Sequence, residues 1–393
     1  MDEKKKFEDL DCDVLDVGLC TSCGTCAGIC PIDIIRMNYE LDEPEPELIG
    51  ECNACGLCYE ICPGRDVPLR DLDRMIFERD RDVDREPLGI YKRSLRGYAS
   101  RRDIRESSSS GGVVSALLNC ALEEKIIDGA LIAGWDEERP WRCKPMIASS
   151  PSEVAKPVRT AMVVVPINAL LREVYKRNFE KIGVVGCPCH IHALRKMQMY
   201  NKPKKLVDSI TFMIGLFCAA NYYFKGTEHM IKELGKVDSV DEVICMDYRG
   251  GKWPGSLCVT TKDGETRYVA SKHDYTWHFL GASSYKRDRC LMCVDWSAES
   301  ADISAGDILT SIPEDNPRWT ATLIRTEKGE ELIETAINKG YVVAKDFDAT
   351  VLTSSGLGWE AKKHANMYRL IQRKKYNWPT PSYQYTPRLV PKP

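Results

Sequence analysis

The sequence has no apolar run long enough to cross a membrane, so the chain reads as soluble, with any membrane association arising through a partner. No secretory feature precedes its first cysteines, which argues against a disulfide scaffold. No G-x-G-x-x-G stands between a strand and a helix, so an ordinary Rossmann dinucleotide site is not supported. The arginines are interleaved with acids and lack an aromatic stacking platform, which turns the reading away from nucleic acid. No repeat is visible beyond two short cysteine runs.

Those runs are the most informative feature present. The chain has 393 residues, 43% of them hydrophobic, enough for a small module and a larger body. It carries eighteen cysteines, a number that suggests metal ligation in a reducing, anaerobic setting. "CTSCGTCAGICP" and "CNACGLCYEICP" share the spacing C-x2-C-x2-C-x3-C-P. Three closely spaced thiolates can grip one iron–sulfur cube while the fourth reaches the cube held by the other run. The spacing therefore assigns Cys20, Cys23, Cys26 and Cys62 to one [4Fe–4S] cluster and Cys52, Cys55, Cys58 and Cys30 to the other. Gly24 and Gly56 would let the backbone turn tightly against the inorganic core. Zinc can bind C-x2-C, but it needs neither the third and fourth cysteines nor the trailing proline. Cys12 falls outside the pattern and reads as a spare thiol.

The net charge of −3 hides an asymmetry: residues 1–70 hold sixteen acidic and six basic side chains. The acidic stretch "YELDEPEPELIGE" joins the two runs, either as a solvated loop or as a docking surface for a redox partner. Residues 71–105 are rich in both charges and read as a linker packed on the body, whose cationic strip could hold an anionic cofactor.

From residue 107 helices and strands alternate, as expected of an α/β body with a mixed sheet and helices on both faces. Val113, Leu117, Leu118 and Leu122 mark the buried face of one helix, and Asp263-Gly264 suits a hairpin turn. The polar, glycine-ended start Ser107 to Gly112 can offer N–H groups and hydroxyls to a pyrophosphate, although an N-cap with a packing glycine explains it equally well. Cys189, Cys218, Cys290 and Cys293 stand at strand ends that chain turns could gather into a third site. Spacing alone does not separate zinc from [4Fe–4S] there, and Cys187 competes with Cys189.

"SSGGVVSALLNCALEEKIIDGALIAG", "GCPCHIHALRK", "IGLFC", "YRGGKWPG" and "RCLMCVDWSAESADISAGDI" together resemble the family of coenzyme F420 hydrogenase/dehydrogenase beta subunits over about residues 95–340. The resemblance implies FAD in the α/β body, a third [4Fe–4S] cluster on Cys189, Cys218, Cys290 and Cys293, and coenzyme F420 as hydride substrate. It places the FAD phosphates at Ser109, Ser110, Gly111 and Gly112, and the flavin region near Lys156, Thr160, Arg249 and Trp253. The family usually has threonine where Cys187 stands. The implied organisation is a two-cluster ferredoxin module (1–70), a charged linker (71–105), an FAD- and F420-binding body (106–345) and a C-terminal extension (346–393). The expected protein is a cytoplasmic oxidoreductase component of a hydrogenase, formate dehydrogenase, respiratory or disulfide-reductase complex. A ferredoxin-dependent flavin reductase with another substrate and a non-catalytic electron adapter are the competing readings. His190 and His192, beside the cluster cysteine, read as satisfied structural histidines or as flavin-tuning groups.

Overall fold

The computed structural model describes residues 4–155, 159–276, 285–308, 318–354 and 357–385. Near the N-terminus each cysteine run ends in a one-turn helix, Thr25–Ile29 and Leu57–Ile61. Between them lies an antiparallel pair, β1 (Ile35–Asn38) and β2 (Glu45–Leu48). Gly24 and Gly56 cap the two helices at φ +82 and +75, the left-handed region that a side chain disfavours.

The body is built on an eight-stranded mixed sheet. Its strands are β3 (Arg93–Ala99), β4 (Gly129–Trp135), β5 (Cys143–Ala148), β6 (Ile182–Gly186), β7 (Ile210–Leu216), β11 (Ile303–Asp307), β12 (Thr320–Ile324) and β13 (Val342–Asp346). The order β13-β3-β12-β11-β7-β6-β4-β5 has a parallel centre, β11-β7-β6-β4, flanked by antiparallel strands. A separate three-stranded sheet comprises β8 (Val243–Gly250), β9 (Ser256–Thr261) and β10 (Thr266–Ser271). Its β9–β10 hairpin turns through Gly264 at φ +82, as the Asp-Gly pair foretold.

Alternate residues of the central strands feed two cores. Ala130, Ile132, Val185 and Ile214 face the Val113–Glu123 and Glu327–Asn338 helices, with Leu117, Leu332 and Ile333. Leu131, Val184 and Met213 face the Pro188–Tyr200 helix, with Ile191, Leu194 and Met197. Ile29 and Ile61 of the N-terminal module enter this second core, so the module is packed against the body.

Residues 71–105 do more than pack on the surface. They contain most of the Leu69–Phe77 helix and all of β3, which pairs on both sides, with β12 and β13. Leu95 and Ala99 are buried there, a period-two signal that the surrounding charges mask in the sequence. The acidic connector is docked rather than free. Glu40 pairs with Arg139, Asp42 accepts from the Lys225 amide, and Glu43 pairs with Arg287.

Candidate functional site

The structure gathers thirteen of the eighteen cysteines into three groups. Cys20, Cys23, Cys26 and Cys62 line one cavity, together with Cys58 at its edge. Cys30, Cys52, Cys55 and Cys58 line a second. The exchange of the fourth cysteine between runs thus has a geometric counterpart, because each Cys-Pro follows a short helix that carries it to the opposite group. The two groups differ in depth: Cys23 is buried, whereas Cys55 is exposed.

Cys187, Cys189, Cys218, Cys290 and Cys293 line the third cavity. Cys187 directly follows β6, Cys218 lies two residues past β7, and Cys290 sits in the short turn Asp288–Met292. Five cysteines meet here where four were expected. The Cys187 thiol bonds Cys218, which lowers the Cys218 pKa despite its burial. Burial and neighbouring thiols, Cys23 first among them, push Cys189 well above the usual thiol range. Cys20 and Cys26 are raised by the same two causes. A buried set of this kind becomes fully thiolate only when a cation neutralises it. Among the described residues no three ligating side chains converge as a single ion requires, whereas a four-iron cube is gripped at its corners by thiolates set wider apart. The donor chemistry fits iron–sulfur clusters.

The first and third groups adjoin, since Thr21 and Pro63 line both cavities. Between them lies Arg287, 2% exposed, paired with Glu43 and donating to the carbonyls of Cys20 and Thr21 at 3.2 Å each. Asn168 joins body to module, its Nδ2 donating to Thr25 Oγ1 at 2.8 Å and to the His190 carbonyl at 3.1 Å. Lys196, wholly buried, donates to the Cys62 carbonyl at 2.9 Å and to Asp66. His190 is held between the Val165 carbonyl and the Cys187 amide, and burial lowers its pKa to about 4. His192 bonds Asp295 at 2.9 Å. Both histidines are satisfied structural groups.

The C-terminal segment also reaches this region. Tyr383 OH donates to the Met292 carbonyl at 2.9 Å and receives Arg289, which also holds the Pro63 carbonyl. Ser382 bridges to Asp66, and Gln384 accepts from the Arg70 and Asp71 amides at the start of the Leu69–Phe77 helix. Arg287, Asn168, Lys196 and this whole segment escape sequence reasoning. They carry no motif, and Arg287 stands between Lys286 and Asp288, where nothing in the sequence signals burial.

Of the residues expected near a flavin, Ser109, Ser110, Thr160 and Arg249 lie toward one edge of the sheet, outside the carboxyl ends of the parallel strands. Ser109 Oγ lies 2.7 Å from Thr160 Oγ1, and Ser110 Oγ donates to the Trp319 carbonyl at 2.7 Å. Arg249 Nη1 donates to Asp307 at the end of β11 at 2.7 Å, and Lys272 shares that carboxylate. Arg159 pairs with Asp247 at 3.1 Å, drawing the Thr160 stretch to β8. Arg318 ties the Arg105 carbonyl to that of Gly251. Arg249 Nη2 is a buried donor with no partner among the described residues, as a site for an anionic or carbonyl-bearing ligand would leave it. Trp253 is half-buried in the β8–β9 turn, and Lys156 lies outside the described residues. Gly111 has a packing reason of its own, since a Cβ there would stand 2.4 Å from the Gly97 carbonyl oxygen. Its N–H already donates to Thr320 Oγ1, so the open donors are those of the following helical turn.

Among the described residues no helix is long and apolar enough to cross a membrane. Sequence profiles described as coenzyme F420 hydrogenase/dehydrogenase, beta subunit, match residues 94–172 (N-term) and 179–350 (C terminus). A 4Fe-4S dicluster domain profile matches residues 12–63. The coenzyme F420 hydrogenase subunit beta of Methanococcus voltae is 30% identical, covering 75% of this chain and 99% of that protein. The F420-dependent formate dehydrogenase 1 subunit beta of Methanococcus maripaludis is 28% identical over 71% of this chain and 67% of its own length. Among solved structures, a chain of the F420-reducing [NiFe] hydrogenase complex from Methanosarcina barkeri matches with a TM-score of 0.59 and 25% identity, covering 78% of this chain and 98% of that one.

Proposed function

Because the chain belongs to the family of coenzyme F420 hydrogenase/dehydrogenase beta subunits, we propose that it exchanges electrons between coenzyme F420 and a partner redox complex. The observation that carries this reading is the continuity of the three cysteine groups, from the carboxyl edge of the sheet to the exposed Cys55. In it Cys189, Cys218, Cys290 and Cys293 hold a [4Fe–4S] cluster in the body, with Cys187 beside them donating to Cys218. The Cys20, Cys23, Cys26 and Cys62 set is the inner centre of the module, and the Cys52, Cys55, Cys58 and Cys30 set the outer one, facing the partner.

FAD, when bound, supplies the exchange between a two-electron hydride and single electrons. The Ser109–Thr160 hydroxyl pair and the N–H groups after Gly112 would hold its phosphates in this reading, and Arg249 Nη2 would be left to donate to it. Asp307 fixes the Arg249 guanidinium in one orientation. Arg287 closes the space between the inner centre and the body, excluding water and balancing thiolate charge. The amide of Ser22 approaches Cys20 Sγ at 3.3 Å and that of Asn221 approaches Cys290 Sγ at 3.4 Å, so both are placed to stabilise a reduced centre.

Anaerobic preparations of the full chain should carry bound flavin and about twelve iron atoms per chain. Reduced F420 should bleach the flavin, and NADH should not. A flavin that stays oxidised under reduced F420 would overturn the assignment of the hydride donor.

A further inference from the structure

Lys362 lies past residue 350, where the family profile ends, and its side chain is 1% exposed. Its Nζ donates to the Cys290 carbonyl at 3.1 Å and lines the cavity formed by Cys218, Cys290 and Cys293. One turn on, Asn366 Nδ2 donates to the carbonyls of Cys290 and Cys293 at 2.9 and 2.8 Å, fixing this segment over the cysteine turn. The neighbouring Lys363 pairs with Glu299, but among the described residues no carboxylate lies within ion-pair distance of Lys362. A buried ammonium without a counter-charge is costly. The three cysteines supply one. They line the same cavity as its ammonium and, as thiolates, are the groups placed to balance it.

We propose that Lys362, delivered by the C-terminal segment, is a positioning residue that sets the reduction potential of the body cluster. Its fixed positive charge favours the reduced, more negative state of a centre held by Cys189, Cys218, Cys290 and Cys293. This rests on the reading of those cysteines as cluster ligands. The C-terminal extension is then part of the redox site, and its loss would change the centre without touching a ligand.

The test is a redox titration of the full-length, cluster-loaded protein followed by electron paramagnetic resonance. Lys362→Met keeps the volume and removes the charge; Lys362→Gln removes the charge and keeps a donor for the Cys290 carbonyl. Both should lower the midpoint potential of one centre, changing its reduced-to-oxidised ratio at fixed potential about tenfold, or ~59 mV for one electron. Lys362→Arg should restore it, and the other two centres should not move. An unchanged potential in fully loaded Lys362→Met or Lys362→Gln would overturn the proposal, as would an equal shift in Lys362→Arg. Loss of four iron atoms from both neutral variants would assign Lys362 to assembly instead. Eight iron atoms in the unaltered protein would overturn the cysteine reading beneath it, a result separable from a failure of Lys362.

Discussion

Arg287 is the residue on which the junction between module and body turns. It pairs with Glu43 of the acidic connector and donates to two carbonyls and the Ser22 hydroxyl of the first cysteine run. Removing it leaves Glu43 facing a desolvated junction without its cation. A broken buried pair costs about 3–5 kcal/mol, and less is expected here because Glu43 keeps a fifth of its side chain exposed. Arg287→Met should therefore lower the anaerobic melting temperature. The double variant Arg287→Met, Glu43→Gln should recover part of the loss. If the double variant is as unstable as the sum of the single changes, the pair is not the source of the stability.

At the scale of elements, the two cysteine runs are alike in sequence and unlike in surroundings. Gly28 in the first corresponds to Glu60 in the second. A Cβ at Gly28 would stand 2.1 Å from the Asn168 carbonyl oxygen, and one at Gly24 would meet the Ala169 amide at 2.7 Å. The first run is thus flattened against the segment 166–171, while in the second the nearest described atom to a Cβ at Gly56 is the Lys5 carbonyl oxygen, at 3.6 Å. Gly28→Ala should force the two surfaces apart, with an overpacking cost of about 1–3 kcal/mol. Both module clusters should still assemble, but flash-initiated electron transfer from the body to the inner centre should slow. Unchanged transfer would show that this contact does not set the distance between the centres.

The whole molecule orders the three cysteine groups. Cys23 is buried in the cavity next to that of Cys189, whereas Cys55 reaches the surface. Replacing Cys52 and Cys55 by serine should remove four iron atoms and abolish turnover with a partner complex. The inner and body centres should still be reduced by F420 in a single turnover. Retained partner turnover in that variant would move the exit to another face. The C-terminal segment belongs to this same architecture, since it binds the module at Asp66 and the cysteine turn at Met292 and Cys290.

By itself the sequence determined the ligand chemistry of the module and the class of the body. Cluster ligation requires cysteines at fixed short spacings, and a βα chain writes its periods locally. Family motifs pointed to residues near Arg249 and Ser109, and the fold brings their stretches together through Asp307, Asp247 and Arg318. Only the tertiary structure decided that β3 is an interior strand, because its pairing partners lie more than two hundred residues away. It also decided that the acidic connector is tied to the body and that Gly111 is small for packing. The same holds for the closing of the third site by Lys362 and Asn366. These depend on contacts between segments distant in the chain, where a charge or a small side chain takes its meaning from what folds against it.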